Sequence, residues 1–186
     1  MRVALTGTPG TGKSAVAATL SRRGVAVLVL HDEAARAGLL THRDRRRGAF
    51  EVDVGALDRA VERRAEALSR AGRTGGGPVV LQGHLAHHLS VDRVLVLRCP
   101  PALLARRLRR RGWPERKVRE NACAEAVGVI ATEAVVRLGR RRVFEFSTGG
   151  ARAPAAASAV LSVARGTARS LAAGSVDYLE EAPRWC

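Results

Sequence analysis

Aromatic side chains are scarce in this 186-residue chain, where three Phe, two Trp and one Tyr make up 3%. So few rings leave little for a surface that grips single strands by stacking bases. Cysteine is rarer still: Cys99, Cys123 and Cys186 are widely scattered and odd in number. That pattern speaks against a disulfide framework or a zinc knuckle and for a reducing compartment, with Cys99 and Cys123 as core thiols. No apolar run approaches the ~20 residues of a membrane span, and no charged-then-apolar leader is seen. The expectation is a cytoplasmic protein with no membrane partner. Lysine is nearly missing as well: of 32 basic residues only Lys13 and Lys117 are lysine. Where arginine is this abundant, each arginine says little and each lysine says more.

What is present is apolar mass in Ala, Val and Leu, within a hydrophobic content of 46%. This mix suits helices packed on a sheet, and the length suffices for one domain with a real core. A formal charge of +15 attracts polyanions, RNA or nucleotides. Short β-branched runs alternate with longer amphipathic ones. "RVALT" (2–6), "VAVLVL" (25–30), "PVVLQ" (78–82), "DRVLVLRC" (92–99) and "RRVFEF" (141–146) read as strands. Helices are expected over 12–23, 32–40, 55–71 and 154–173, with a basic loop "THRDRRRGAF" and a loosely held acidic end "SVDYLEEAP". In the helix 55–71, Leu57, Val61, Ala65 and Leu68 share one stripe. Apolar strands without alternation, separated by helices, imply a parallel sheet covered on both faces. The expected fold is α/β, a three-layer sandwich with a parallel sheet of about five strands.

"GTPGTGKS" carries the chemistry. Gly7, Thr8, Pro9, Gly10, Thr11, Gly12, Lys13 and Ser14 match G-x-x-x-x-G-K-[ST], between an expected strand and an expected helix. Glycines let the backbone wrap a phosphate, so that amides and the helix's positive end point inward. Lys13 would reach the β- and γ-phosphates, and the Ser14 hydroxyl would sit on Mg²⁺. There is no N-K-x-D base reader of a GTPase, and the chain is too short for a motor core. What remains is a small nucleoside monophosphate kinase or close relative using ATP with Mg²⁺.

Such an enzyme needs cations around two sets of phosphates and a cover that excludes water. "LARRLRRRGWPERKVREN" (104–121) reads as a helix, a Gly-containing break and a second helix. This is a short lid over about 109–119, with Arg111 at the hinge and Arg116, Lys117 and Arg119 one to two turns away. Arg36 stands in the helix after the second strand, where an acceptor phosphate would be gripped.

Together these pieces resemble the small adenylate kinase/ATPase family that includes the nuclear adenylate kinase isoenzyme 6 and its archaeal relatives. The resemblance is carried by "LTGTPGTGKS", "DEAARAGLL", "VDVGAL", "GHLAHHL", "VLRCPPALLARRLRRRGWPERKVREN" with the following "AEA", and "GSVDYLEE". The archaeal members are most similar. The resemblance implies ATP and AMP as substrates, two ADP as products, some ATPase activity, and a part in small ribosomal subunit assembly through a ribosomal protein and rRNA. By position it implies a P-loop domain over 1–173, an acceptor-nucleotide region 31–71 containing Glu33 and Arg36, and a tail 174–186. It also places Arg111 and Arg119 in the lid and His84 in a Walker-B-like motif.

One position departs from the family. Two places before His84 an acidic residue is usual, and here Gln82 stands. Glutamine keeps the size and hydrogen bonding but cannot act as a base. It would touch Mg²⁺ through water at most, so weaker Mg²⁺ binding or slower hydrolysis is expected. His84 is expected to contact a phosphate or water, and His87 and His88 to be loop residues. A zinc site there lacks acidic or cysteine partners at suitable spacing. The residues leave three activities open: an adenylate kinase, a ribosome-assembly ATPase, and a kinase of another small acceptor.

Overall fold

A computed structural model describes residues 1–40, 42–44 and 49–186, with 42–44 and 49–51 as backbone alone. Most of the basic loop, including the arginine run within 42–47, therefore lies outside the described side chains. Five strands form one parallel sheet: β1 (Arg2–Thr6), β2 (Ala26–Val29), β5 (Val79–Gln82), β6 (Arg93–Arg98) and β7 (Val143–Ser147), in the order β2-β5-β1-β6-β7. Two three-residue strands, β3 (His42–Asp44) and β4 (Ala49–Glu51), pair antiparallel outside it. The register sets Leu5 of β1 beside Gln82 of β5 on one side and Leu95 of β6 on the other.

The absence of alternation in the strands has its reason in the two cores. Val3, Leu5, Val80, Leu95 and Leu97 face α1 (Lys13–Arg22) and α7 (Ala153–Arg165). Ala4, Val79, Leu81, Val94 and Val96 face α2 (Leu30–Arg36), α3 (Val54–Arg70) and α6 (Val129–Leu138). Both strand faces are thus buried, as parallel sheets require. The α3 stripe behaves as its spacing predicts: Leu57, Val61 and Ala65 are buried and Leu68 packs at their edge. A third core joins α4 (Pro101–Arg110) to α5 (Glu115–Ala126) through Leu104, Leu108, Val118 and Ala122.

Three expectations are corrected. The helix expected over 154–173 stops at Arg165, because Gly166 takes the left-handed conformation (φ 80°) that ends helices. The acidic end is not loose: Trp185, in α8 (Ala182–Trp185), is buried in the α4–α5 core, and Tyr178 Oη lies 2.8 Å from Ser147 Oγ. Cys123 is not a free thiol but is joined to Cys186 by a disulfide, leaving Cys99 free and buried. Sequence spacing hid this pair, 63 residues apart, because only folding lays the tail against α5. No helix among the described residues is long and apolar enough to cross a membrane.

Candidate active site

The loop 7–12 connects the buried end of β1 to the first turn of α1. At Gly10, φ is 97° and a Cβ would press on Leu104 and Leu108 of α4; at Gly7, φ is 139° and a Cβ would strike the Leu97 carbonyl. No side chain fits either place. The first amides of α1 have no intrahelical acceptor and open onto this loop. Lys13 folds back across it, its ammonium donating to the carbonyls of Gly7 (2.6 Å) and Thr8 (3.1 Å). Burial, with Arg111 adding to it and Glu125 opposing, pulls Lys13 from its ordinary value down to about 8.

Two groups that sequence reasoning missed brace the loop. Glu125 of α5, buried, accepts from Thr8 Oγ1 (2.5 Å), Arg98 Nε (2.8 Å) and the Cys99 amide (3.1 Å). Burial pushes this carboxyl up, against the pull of Arg98 and Thr8. Arg98 also bonds Glu145 (3.2 Å), whose other oxygen takes the Gly174 and Val176 amides of the tail. Arg107 of α4 donates to the Gly10 carbonyl (3.3 Å) and the Thr148 carbonyl (3.2 Å). The available signal was an arginine and a glutamate inside the apolar strands "RVLVLRC" and "VFEFS", since charges so placed must be paired.

Two clefts open at the motif, one lined by the loop and one by Lys13. One, about 240 Å³, is lined by Gly10, Thr11, Gly12, Arg107, Arg111 and Arg152 among others. The other, about 350 Å³ and mostly apolar, brings Lys13, Gln82 and His84 together with Leu30, Leu40 and Leu57. Gln82 is buried at the end of β5, and its carboxamide has no hydrogen-bond partner among the described residues. Desolvation, then the charges of Lys13 and His88, hold His84 below its ordinary value, so it is neutral at pH 7. The remaining site residues are not gathered here. Arg36 is ion-paired with buried Glu33, and both line a separate concavity with Arg64 and Arg73. Arg119 lies exposed on α5, outside both clefts.

His87 departs from the loop role expected of it. Its ring is buried, with Nδ1 3.2 Å from Thr6 Oγ1 and Nε2 3.1 Å from Glu133 Oε2. Burial and the neighbouring His88 lower it, while Glu133 pulls the other way. For a Mg²⁺-nucleotide the residues present fit: glycine backbone, a lysine, the exposed Ser14 hydroxyl at the head of α1, and an unpaired carboxamide at Gln82. All are oxygen or cationic partners of the kind such a group takes.

A family model described as an AAA domain matches residues 3–128. The chain is 40% identical over 180 residues to a protein of Natronomonas pharaonis, covering 97% of this chain and 99% of that one. It is 39% identical over 181 residues to one of Halobacterium salinarum (97% and 99% covered) and 34% identical over 184 residues to one of Archaeoglobus fulgidus (97% and 93%). All three carry the name "Putative adenylate kinase". Among solved structures, the shikimate kinase of Acinetobacter baumannii matches with a TM-score of 0.53 at 17% identity, covering 89% of this chain and 93% of that one. A gluconokinase of Sinorhizobium meliloti matches at 0.52 and 14%, covering 91% and 94%. These structures speak for the P-loop kinase fold alone. With a family model over most of its length and relatives matched almost end to end, the chain belongs to the AAA-domain P-loop nucleotide kinases, together with these archaeal relatives.

Proposed function

We propose that the chain transfers the γ-phosphoryl group of ATP to AMP, giving two ADP. The observation that carries this reading is a pair of clefts at one phosphate-binding motif, the first lined by Gly10, Thr11 and Gly12 and the second by Lys13. A nucleotide kinase needs a donor and an acceptor site that share one phosphate-binding centre. The cleft with Arg107 and Arg111 would take ATP, and the apolar cleft with Gln82 and His84 would take AMP. An oxygen of the AMP phosphate attacks the γ-phosphorus as the bond to the ADP oxygen breaks. Lys13 and Arg111 offset the charge spread over the equatorial oxygens, and neutral His84 contacts phosphate or water. Mg²⁺, when bound with ATP, would neutralise phosphate charge, held by Ser14 and through water by Gln82.

Arg36 lines a concavity apart from the AMP cleft, so to grip the acceptor phosphate it would have to leave Glu33 and swing toward Lys13, and Arg119 would close in with the lid at about 109–119. The name of the archaeal relatives supports the choice of AMP. A carboxamide at Gln82 cannot take a proton from water, so ATPase activity accompanies the transfer only slowly. The decisive assay measures ADP formed from ATP with and without AMP. Wild type should exceed its ATP-only rate several-fold when AMP is present, and Lys13→Ala should abolish both rates. An AMP-independent rate would refute the reading. Gln82→Asp should raise the ATP-only rate and sharpen its Mg²⁺ dependence.

A second reading adds to the first. The +15 charge and the exposed Arg106, Arg109, Arg110 and Arg111 favour an anionic partner. We infer a role in small ribosomal subunit assembly, with a ribosomal protein and rRNA as partners, as in the isoenzyme 6 type, and a cytoplasmic place of work. An rRNA or ribosomal-protein affinity that ignores nucleotide state would refute this.

A further inference from the structure

We propose that His87, His88 and Glu133 form a binding site for one divalent transition cation of the zinc class, separate from the Mg²⁺-nucleotide site. The two histidines sit in a single 3-10 turn, Ala86–His88, after β5, and Glu133 reaches them from α6. Sequence spacing gave the histidines no acidic partner, because Glu133 is 46 residues away from His87. Folding supplies it: one candidate ligand atom from each residue lies within 4.8 Å of the others.

The hydrogen-bond inventory fixes what faces what. The Thr6 hydroxyl has one proton, and it is given to the His84 carbonyl at 3.1 Å. The contact between Thr6 Oγ1 and His87 Nδ1 at 3.2 Å therefore has the ring as donor. With Nδ1 carrying the proton, the neutral ring presents a bare Nε2, and that atom faces Glu133 Oε2 at 3.1 Å. Two lone pairs at this distance need a positive charge between them. A proton would serve one pair alone, yet His88 Nε2 turns to the same carboxylate oxygen at 3.9 Å. Three candidate ligand atoms within 4.8 Å of one another are what a metal can draw together.

The spacing suits it. Four-coordinate zinc with bonds of about 2.0–2.1 Å sets its ligand atoms about 3.3 Å apart, and 3.1 and 3.9 Å lie on either side of that value. The adjustment falls on His88 and Glu133, which are 35% and 47% exposed, while buried His87 stays in place. Their exposure leaves the fourth position to water. The Nδ1–H bond to Thr6 is the outer contact that metal-bound imidazoles use to fix ring and tautomer. Two imidazoles and one carboxylate select zinc-like ions over Mg²⁺, which prefers oxygen. Since Thr6 directly precedes Gly7, the bound ion would pin α6 to the root of the phosphate loop.

The test uses the full, tag-free chain in a Cys99→Ser background, stripped of metal and titrated with Co²⁺ and then Zn²⁺. Expected are one equivalent of Co²⁺, with the intense visible absorption of a four-coordinate ion, and its displacement by one equivalent of Zn²⁺ but not by millimolar Mg²⁺. His88→Ala and Glu133→Gln, both at exposed positions, should each weaken binding about tenfold or more, while His84→Ala should leave it unchanged. No stoichiometric binding would overturn the site and leave an imidazolium–carboxylate pair. Binding that survives both variants, or that is lost with His84, would overturn it too.

Discussion

The residue that most exposes the chemistry to measurement is Lys13. The folded chain keeps its proton up to about pH 8 and the unfolded chain up to 10.5. Between these values the unfolded state binds more protons, so this group's contribution to stability rises with pH in that window. On the function proposed above, phosphate binding works in the opposite direction, because it uses the ammonium. ATP affinity should hold below pH 8 and fall by up to tenfold per pH unit above it. Calorimetry in buffers of different ionisation enthalpy should show proton uptake on ATP binding at pH 8.5, and Lys13→Met should lose it. The lysine was legible because its motif is contiguous and its context, strand then helix, is local. Gln82 was legible as an anomaly, but that no hydrogen-bond partner meets its carboxamide among the described residues was not, because that depends on neighbours distant in sequence.

Among elements, α4 and α5 hold more than their sequence suggested. The helix–break–helix pattern over 104–121 is present as expected, but the ties from these helices to the phosphate loop were not readable. Glu125 stands 27 residues from Arg98 and 117 from Thr8, so no periodicity links them. Truncating it as Glu125→Ala leaves Arg98 half paired in a buried site, and should cost about 3–5 kcal/mol in urea unfolding. Thr8→Val keeps the ion pair and removes one hydrogen bond. It should cost about 1–2 kcal/mol and still weaken ATP binding in a direct titration. Equal losses of affinity and stability from both variants would place Glu125 in structure alone. The five strands of the parallel sheet, by contrast, were legible to within about two residues, since continuous apolar runs buried on both faces have few other homes, whereas β3 and β4 were read as loop.

At the scale of the whole molecule, order runs to the last residue. The Cys123–Cys186 disulfide closes 63 residues, and chain-entropy reasoning assigns such a loop about 4 kcal/mol. Cys186→Ser should lower the urea midpoint accordingly and shift Trp185 emission to the red as the ring leaves its core. The tail escaped sequence reading because acidic composition describes a solvated segment, whereas its anchors are a buried glutamate, a guanidinium and the disulfide partner Cys123 on other elements. The phosphate loop is held from two helices at once. Arg107 grips Gly10 from α4, and Glu125 grips Thr8 from α5. The two leaves that meet at the 111–114 break are therefore also the abutments of the cradle below them. A displacement of either helix bears directly on the carbonyl and hydroxyl that shape the cradle, so the helix pair and the loop respond as one mechanical unit.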